Sequence, residues 1–231
     1  MRCVYALRKS IAGFDFFHWL VLAKAKGATE VVFDIRNPKT SKFDEATVMR
    51  RFQSILFPGP ALAGMSVSIG TEYEMDIGVC DQSKLNGYVW AGGKIEPLRS
   101  VLPPGPWPYT ITLRKFNRWP VRNSNEEAWM RFGQEIGAKM ISDYEEVPIH
   151  LHDRMALYAG AKMNFFVTNG PAALCYLSEY PMASFDLQKS WPSGIPEGGQ
   201  YPFLSEDQYQ IWLPDDYDNI RAWFDAWRRR R

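Results

Sequence analysis

Cysteine is scarce in this sequence: Cys3, Cys80 and Cys175 are the only three in 231 residues, far apart and without a CxxC pair. That excludes a disulfide framework and a cysteine zinc site, and it fits a reducing compartment. Histidine is equally rare, and His150-Leu151-His152-Asp153 is short of the four ligands that zinc needs. No metal and no cofactor are therefore expected, and Asp153 reads better as a helix cap. Nowhere do about 18 apolar residues run together without a charge, so nothing here spans a membrane. The N-terminus, MRCVYALRKS, lacks the apolar core and small-residue cleavage site of a signal peptide. The expected location is the cytoplasm. An excess of one charge is also missing, since 27 Lys and Arg stand against 26 Asp and Glu. A dedicated nucleic-acid binder needs clustered positive charge, so that class is excluded. The one cluster, Arg228 to Arg231, suits a solvated helix end; contact with a membrane surface is the alternative.

What is present is apolar and aromatic mass, 46 % and 15 % of the residues. A chain of this length holds one large domain or two of about 110 residues each. The first half alternates strand and helix. CVYAL, EVVFDI and MSVSIG have the short apolar runs of buried parallel strands, and GYVWAGG is a fourth candidate. Between them, Phe16, Trp19, Leu20 and Ala23 share one helical face, as do Val48, Phe52, Ile55 and Leu56 behind an N-cap at Asp44. LPPGPWP, residues 102–108, then breaks any regular element and reads as a hinge.

The second half repeats the rhythm. YTITLRK, AKMISDY, KMNFFVT and PMASF are strands, interleaved with helical stretches. The first of these helices opens with a capping box from Ser124 to Glu127 and turns Trp129, Phe132 and Ile136 inward. Strands alternating with helices of this length imply βαβ units and parallel sheets. The division expected is 1–101, hinge 102–108, 109–214, and a C-terminal helix at 215–231. On that helix Ile220, Trp223, Phe224 and Trp227 form one stripe, which is expected to pack back on the first domain.

One turn stands out. The run Phe165-Phe166-Val167 stops at Thr168-Asn169-Gly170-Pro171 and a helix follows at once. Ligands of parallel α/β domains bind beyond the carboxyl ends of the strands. Gly170 permits close approach, Pro171 suits a first helical turn and Asn169 can cap it, which together describe an anion site. The simpler reading is a tight strand-to-helix turn. The motif is neither a Walker loop nor GxGxxG.

The surrounding run, HDRMALYAGAKMNFFVTNGPAALCYLSEYPMASF, resembles the donor-binding half of GT-B glycosyltransferases, most of all the heptosyltransferase family that uses ADP-heptose. There a helix ending a-L-I-a-x-A precedes a strand, an Asp-Ser/Thr-Gly-Pro turn, a helix and a strand opening with a small residue and Pro. Leu157 to Ala161, Asn169-Gly170-Pro171 and Pro181 occupy those places. Near the N-terminus the family has Ser-(Leu/Met)-Gly-Asp at a helix start, with the Asp as catalytic base. KSIAGFDFFHWL is similar, with Gly13 and then Asp15 after one extra residue. Thr168 stands where the family has Asp, and Ala173 where it has His. The chain is also shorter than a typical member.

The resemblance implies two small Rossmann-like domains facing across a cleft. It implies transfer of a sugar from a nucleoside-diphosphate sugar to a hydroxyl of a sugar or lipid-linked acceptor. Such a reaction is metal-independent and inverting, with fixed cations holding the leaving diphosphate. On the donor side the candidates are Arg114, Lys115, Arg118 and Arg122 after the first strand of the second half, Asp143 at the end of the next, and Thr168, Asn169, Gly170 and Pro171. On the acceptor side Asp15 is the general base, His18 one turn on is second choice, and Gly13 and Asp34 complete the set. Cys175 reads as core. Alternatives are a nucleotide-sugar epimerase on the same fold and a non-catalytic nucleotide or sugar-phosphate binder. A homodimer through the Trp-rich tail is a further expectation.

Overall fold

The computed structural model describes all residues except 11, 42, 117–118, 143–148 and 188–194. The chain divides into two compact units, Met1–Pro103 with Ile149–Ala156 and Pro104–Pro148 with Leu157–Arg231. Each unit is α/β with a parallel sheet. The division differs from the sequence reading in giving residues 149–156 to the first unit and the C-terminal helix to the second.

In the first unit, β1 (Arg2–Ala6), β2 (Glu30–Asp34) and β3 (Ser66–Ile69) form a three-stranded sheet in that order. On the free side of β1 the Glu74–Met75 segment adds backbone bonds, with the Val4 N–H on the Met75 carbonyl at 2.9 Å and the Met75 N–H on the Arg2 carbonyl at 3.1 Å. Helix α1 (Phe16–Ala25) is buried at every residue from Phe16 to Ala23 rather than on one stripe, because its sequence is apolar on all sides. Tyr5 meets Phe16, Trp19 and Phe33 edge-on at 4.9, 5.1 and 5.9 Å. Each such ring contributes about 1.5–3 kcal/mol by leaving water. Helix α2 (Glu45–Arg51) starts at Asp44, whose carboxylate accepts the Thr47 N–H at 2.7 Å, and runs on into a π-turn, Phe52–Leu56. A short α3 (Gly59–Leu62) follows. The expected strand GYVWAGG is instead the end of helix α4 (Gln82–Trp90). Asp81 caps that helix by accepting the Lys84 N–H at 3.0 Å, and only Leu85 and Asn86 are buried, a spacing too sparse for a strand.

Among its described residues the second unit holds five strands: β4 (Tyr109–Leu113), β5 (Lys139–Ser142), β6 (Met163–Val167), β7 (Met182–Phe185) and β8 (Gln208–Gln210), in the order β5-β4-β6-β7-β8. Strand β8 has no sequence signal of its own, since Gln-Tyr-Gln is short and polar. Helix α5 (Glu126–Ile136) is capped by Asn125 rather than by the expected Ser124, with the Ala128 N–H at 3.3 Å from the Asn125 side chain. It ends at Gly137, whose φ of 67° a side chain would strain. Helix α8 (Tyr217–Arg229) lays Ile220, Phe224 and Trp227 against Trp129, Phe132, Phe165 and Phe185. That corrects the expectation that the tail packs on the first domain. Its apolar stripe is consumed by the second unit's own sheet and α5. Helix α6 (Leu151–Gly160) begins in one unit and ends in the other, and α7 (Ala172–Tyr176) is a little over one turn.

Candidate functional site

The strand order of the second unit has a consequence for binding. From β4 the chain steps to one side for β5 and then returns past β4 to lay down β6, β7 and β8. The connections leaving β4 and β6 therefore part in opposite directions, and the gap between them at the strands' carboxyl ends is where such sheets take ligands. Two sets of described residues meet this gap: 114–116 and 119–124 after β4, and 168–171 after β6.

The first stretch is braced by arginine. Arg114 is 8 % exposed, and its Nη1 donates to the Trp119 carbonyl at 3.2 Å and to Asn123 Oδ1 at 2.7 Å. Its backbone N–H donates to Ser124 Oγ at 2.8 Å, and Asn123 Oδ1 also accepts the Phe116 N–H at 2.8 Å. Arg114 thus shapes this connection, a use the sequence reading did not foresee for a residue it assigned to diphosphate. Ser124, spent on Arg114, is unavailable as a cap. Lys115 is exposed and lies 3.5 Å from the Glu126 carboxylate. Arg122 reaches across the gap, its Nη2 donating to the Thr168 carbonyl at 3.2 Å. Arg118 and Asp143 lie outside the described residues.

In the second stretch the turn takes up its own amides. Asn169 Oδ1 does cap the turn, accepting the Ala172 N–H at 3.1 Å, while the Ala173 N–H goes to the Gly170 carbonyl at 3.0 Å. Pro171 has no N–H. The first amides of α7 are used within the turn, and so short a helix has little dipole to offer. The turn leaves something else. Thr168 Oγ1 and Asn169 Nδ2 are buried and have no hydrogen-bond partner. An unsatisfied buried polar group costs about 1–3 kcal/mol, so two on neighbouring residues beyond the end of β6 call for an explanation.

Asp186 is a residue that sequence reasoning passed over. It follows β7, level with Thr168 because Val167 pairs with Phe185, and it is 2 % exposed with a φ of 59°. Left-handed backbone at a residue other than glycine often marks a functional position. An acidic residue directly after an apolar strand was the available signal.

In the first unit the strand order turns at β1, between β2 and the Met75 segment. Asp15 begins α1 beyond β1; it is exposed and its carboxylate makes no capping bond to the helix. Gly13 lies in the same turn, steadied by the Arg51 Nε–H on the Ala12 carbonyl at 2.7 Å. His18 is 3 % exposed, and burial depresses its pKa against the opposing pull of the Asp15 charge. An imidazole so enclosed serves packing, not proton exchange with a substrate. Asp34 is committed as well: Arg36 grips it with Nε at 2.8 Å and Nη2 at 3.0 Å, and Arg8 stands at 3.7 Å. The Arg36 hydrogen bonds hold its carboxyl below the usual range, so the expected grip on an acceptor hydroxyl gives way to an internal ion pair.

The C-terminal arginines serve their helix. Arg228 and Arg229 sit in the last turn of α8, Arg231 pairs with Asp207, and its guanidinium lies 5.3 Å over the Trp227 ring. Among the described residues no helix is long and apolar enough to cross a membrane.

No family model and no curated protein matches this chain. Among solved structures, the heptosyltransferase WaaC of E. coli, described with ADP, is similar over 98 % of this chain and 99 % of its own, at 12 % identity and a TM-score of 0.48.

Proposed function

We propose that this protein binds a nucleoside-diphosphate sugar at the β4/β6 gap and transfers the sugar to a hydroxyl acceptor. The observation that carries the reading is the pair of buried, unpartnered groups, Thr168 Oγ1 and Asn169 Nδ2, at that gap beside the Arg122 guanidinium. A hydroxyl and an amide NH2 suit sugar hydroxyls and phosphate oxygens, and an arginine suits the diphosphate. Lys115 follows on the same connection and adds charge. Arg114 acts by holding that connection in shape.

The chemistry proposed is a single displacement. Asp15 takes the proton of the acceptor hydroxyl as its oxygen attacks the anomeric carbon, and the bond from that carbon to the diphosphate oxygen breaks. The negative charge arriving on the diphosphate is stabilised by the cations in place of a metal, and attack opposite the breaking bond inverts the configuration. A second reading, a binding protein without turnover, is favoured by one observation: of the acceptor-side side chains, His18 and Asp34 are both taken up structurally.

A thermal-shift titration with ADP, GDP, UDP, CMP and the matching nucleotide sugars tests the binding. A ligand at a hundredfold its Kd adds about 2.7 kcal/mol to the folded state. The expected result is a shift with one nucleotide class, reduced in Arg122→Ala and kept in Asp15→Asn. Turnover lost in Asp15→Asn supports the transferase, no turnover in either form supports the binding protein, and no shift with any nucleotide overturns the site.

A further inference from the structure

The ligand gap lies at the carboxyl ends of the second unit's strands. The opposite edge, where those strands begin, gathers cations from three separate parts of the chain, and the proposed chemistry uses none of them. Lys139 opens β5, its ammonium 5.7 Å from the centre of the Trp107 ring. Lys162 precedes β6, and its backbone N–H donates to the Pro108 carbonyl, just before β4, at 2.8 Å. Helix α8 brings its last turns to the same edge. Arg228 lies 5.7 Å over the Phe224 ring, which is 5.5 Å from that of Tyr109 at the start of β4, and Arg231 pairs with Asp207, just before β8. Lys162 and Arg228 to Arg231 are exposed, Lys139 is half-buried, and Trp107 is 40 % exposed. The acids of this edge among the described residues are Glu179 before β7 and Glu206 and Asp207 before β8; Asp225 and Glu135, further back, are paired with Arg221. Positive charge is thus in excess here, in a chain that carries 27 Lys and Arg against 26 Asp and Glu.

We propose that this edge docks the protein on a bilayer containing anionic lipid. The helix dipole accounts for arginines in the last turn of α8, but not for lysines of two other elements brought to the same edge. A group of four to eight Lys and Arg on an amphipathic helix suits an anionic lipid surface. Five strands at about 4.8 Å spread the cations over roughly 20 Å, the scale of several head groups. An indole such as Trp107, apolar in body and polar at its N–H, is at home in the head-group layer. Nucleic acid rewards cations that follow its rows of phosphate, whereas here they lie along a sheet edge with carboxylates between. The edge is at the far end of the sheet from the gap, so docking and ligand binding do not compete, and the docking stands whether or not the gap holds a nucleotide sugar.

Co-sedimentation of the full chain with vesicles tests this, using phosphatidylcholine alone and one part phosphatidylglycerol to two of phosphatidylcholine. Wild type is expected on the anionic vesicles only, and to leave them as salt rises. Each basic side chain at such a surface changes affinity about fivefold. Lys139→Gln with Lys162→Gln should therefore lose about 25-fold, and Arg228→Gln with Arg229→Gln and Arg230→Gln more. Lys115→Gln, at the carboxyl end of the same sheet, should lose nothing. Thermal melts verify folding; Arg228 packs over Phe224, so if the triple variant melts early the lysine pair decides the test. No binding of wild type to anionic vesicles overturns the proposal, as does equal binding to neutral ones. A loss confined to the arginine variant would reduce the face to a helix end and overturn it too, and so would an equal loss in Lys115→Gln. Tighter binding to a short DNA duplex than to the vesicles at physiological salt would assign the edge to nucleic acid instead and overturn it.

Discussion

Thr168 gives the sharpest test at the scale of a single residue. Its hydroxyl is buried without a partner in the protein, so it carries a desolvation cost that a bound ligand would relieve. Thr168→Val keeps the shape and removes that cost. The variant is expected to unfold about 1 kcal/mol later than wild type in urea without ligand, and to bind the nucleotide sugar less tightly. A variant less stable than wild type would show that the hydroxyl is satisfied internally. His18 makes a second case. Burial lowers its pKa, so the folded state holds it neutral while the unfolded chain protonates it near 6.5. The sign follows from that difference: the unfolded state binds more protons below about pH 6.5, so stability is complete above that value and falls as pH drops beneath it. Thermal melting of wild type between pH 7 and pH 5 should decline more steeply than that of His18→Gln. Gly160 is a third. A Cβ there would collide with the Gly105 backbone, so Gly160→Ala should cost about 1–3 kcal/mol, read as an earlier urea midpoint.

At the scale of the element, α8 decides whether the second unit holds together. Phe224 is 1 % exposed and meets Tyr109, Phe132 and Phe165 at ring distances of 5.5, 5.2 and 6.0 Å. Phe224→Ala should destabilise by about 3–5 kcal/mol, enough to unfold a marginal unit at 37 °C, and circular dichroism melts would detect it. The stripe on α8 was legible in the sequence because 3.6-residue spacing survives in any context; its destination was not, since many apolar faces can accept such a helix. The parallel strands were legible for the same reason, as continuous apolar runs. Strand β8 and the helical identity of residues 82–90 were hidden, the first by polarity and the second because Tyr88, Val89 and Trp90 have strand propensity while the Asp81 cap and Leu85 decide the outcome. At the site, the turn after β6 could be read, but not that Asn169 would cap it from within. Arg114 and Asp34 were chosen as charged residues ending strands. That rule finds the right edge of a sheet and is blind to whether the charge already has a partner.

Across the whole molecule, the three thiols report on how the two units unfold. Cys3 and Cys80 are buried in the first unit, and burial pushes their pKa values up to about 11 and about 12; Cys175 is buried in the second. A thiol reagent at pH 8 should therefore label none of them in the native protein, because all three are enclosed and the thiolates of Cys3 and Cys80 are scarce as well. Helix α6 contributes to both units, with Leu151 and Met155 buried in the first and Tyr158 in the second, its hydroxyl 2.9 Å from Thr112 Oγ1. Unfolding either unit takes from the helix the packing that holds its turns for the other, and a helix of ten residues has little stability alone. The expected outcome in a urea series is one midpoint at which all three thiols become reactive together. Separate midpoints, with two thiols appearing in one step and the third in another, would show that each unit keeps its part of α6 without help.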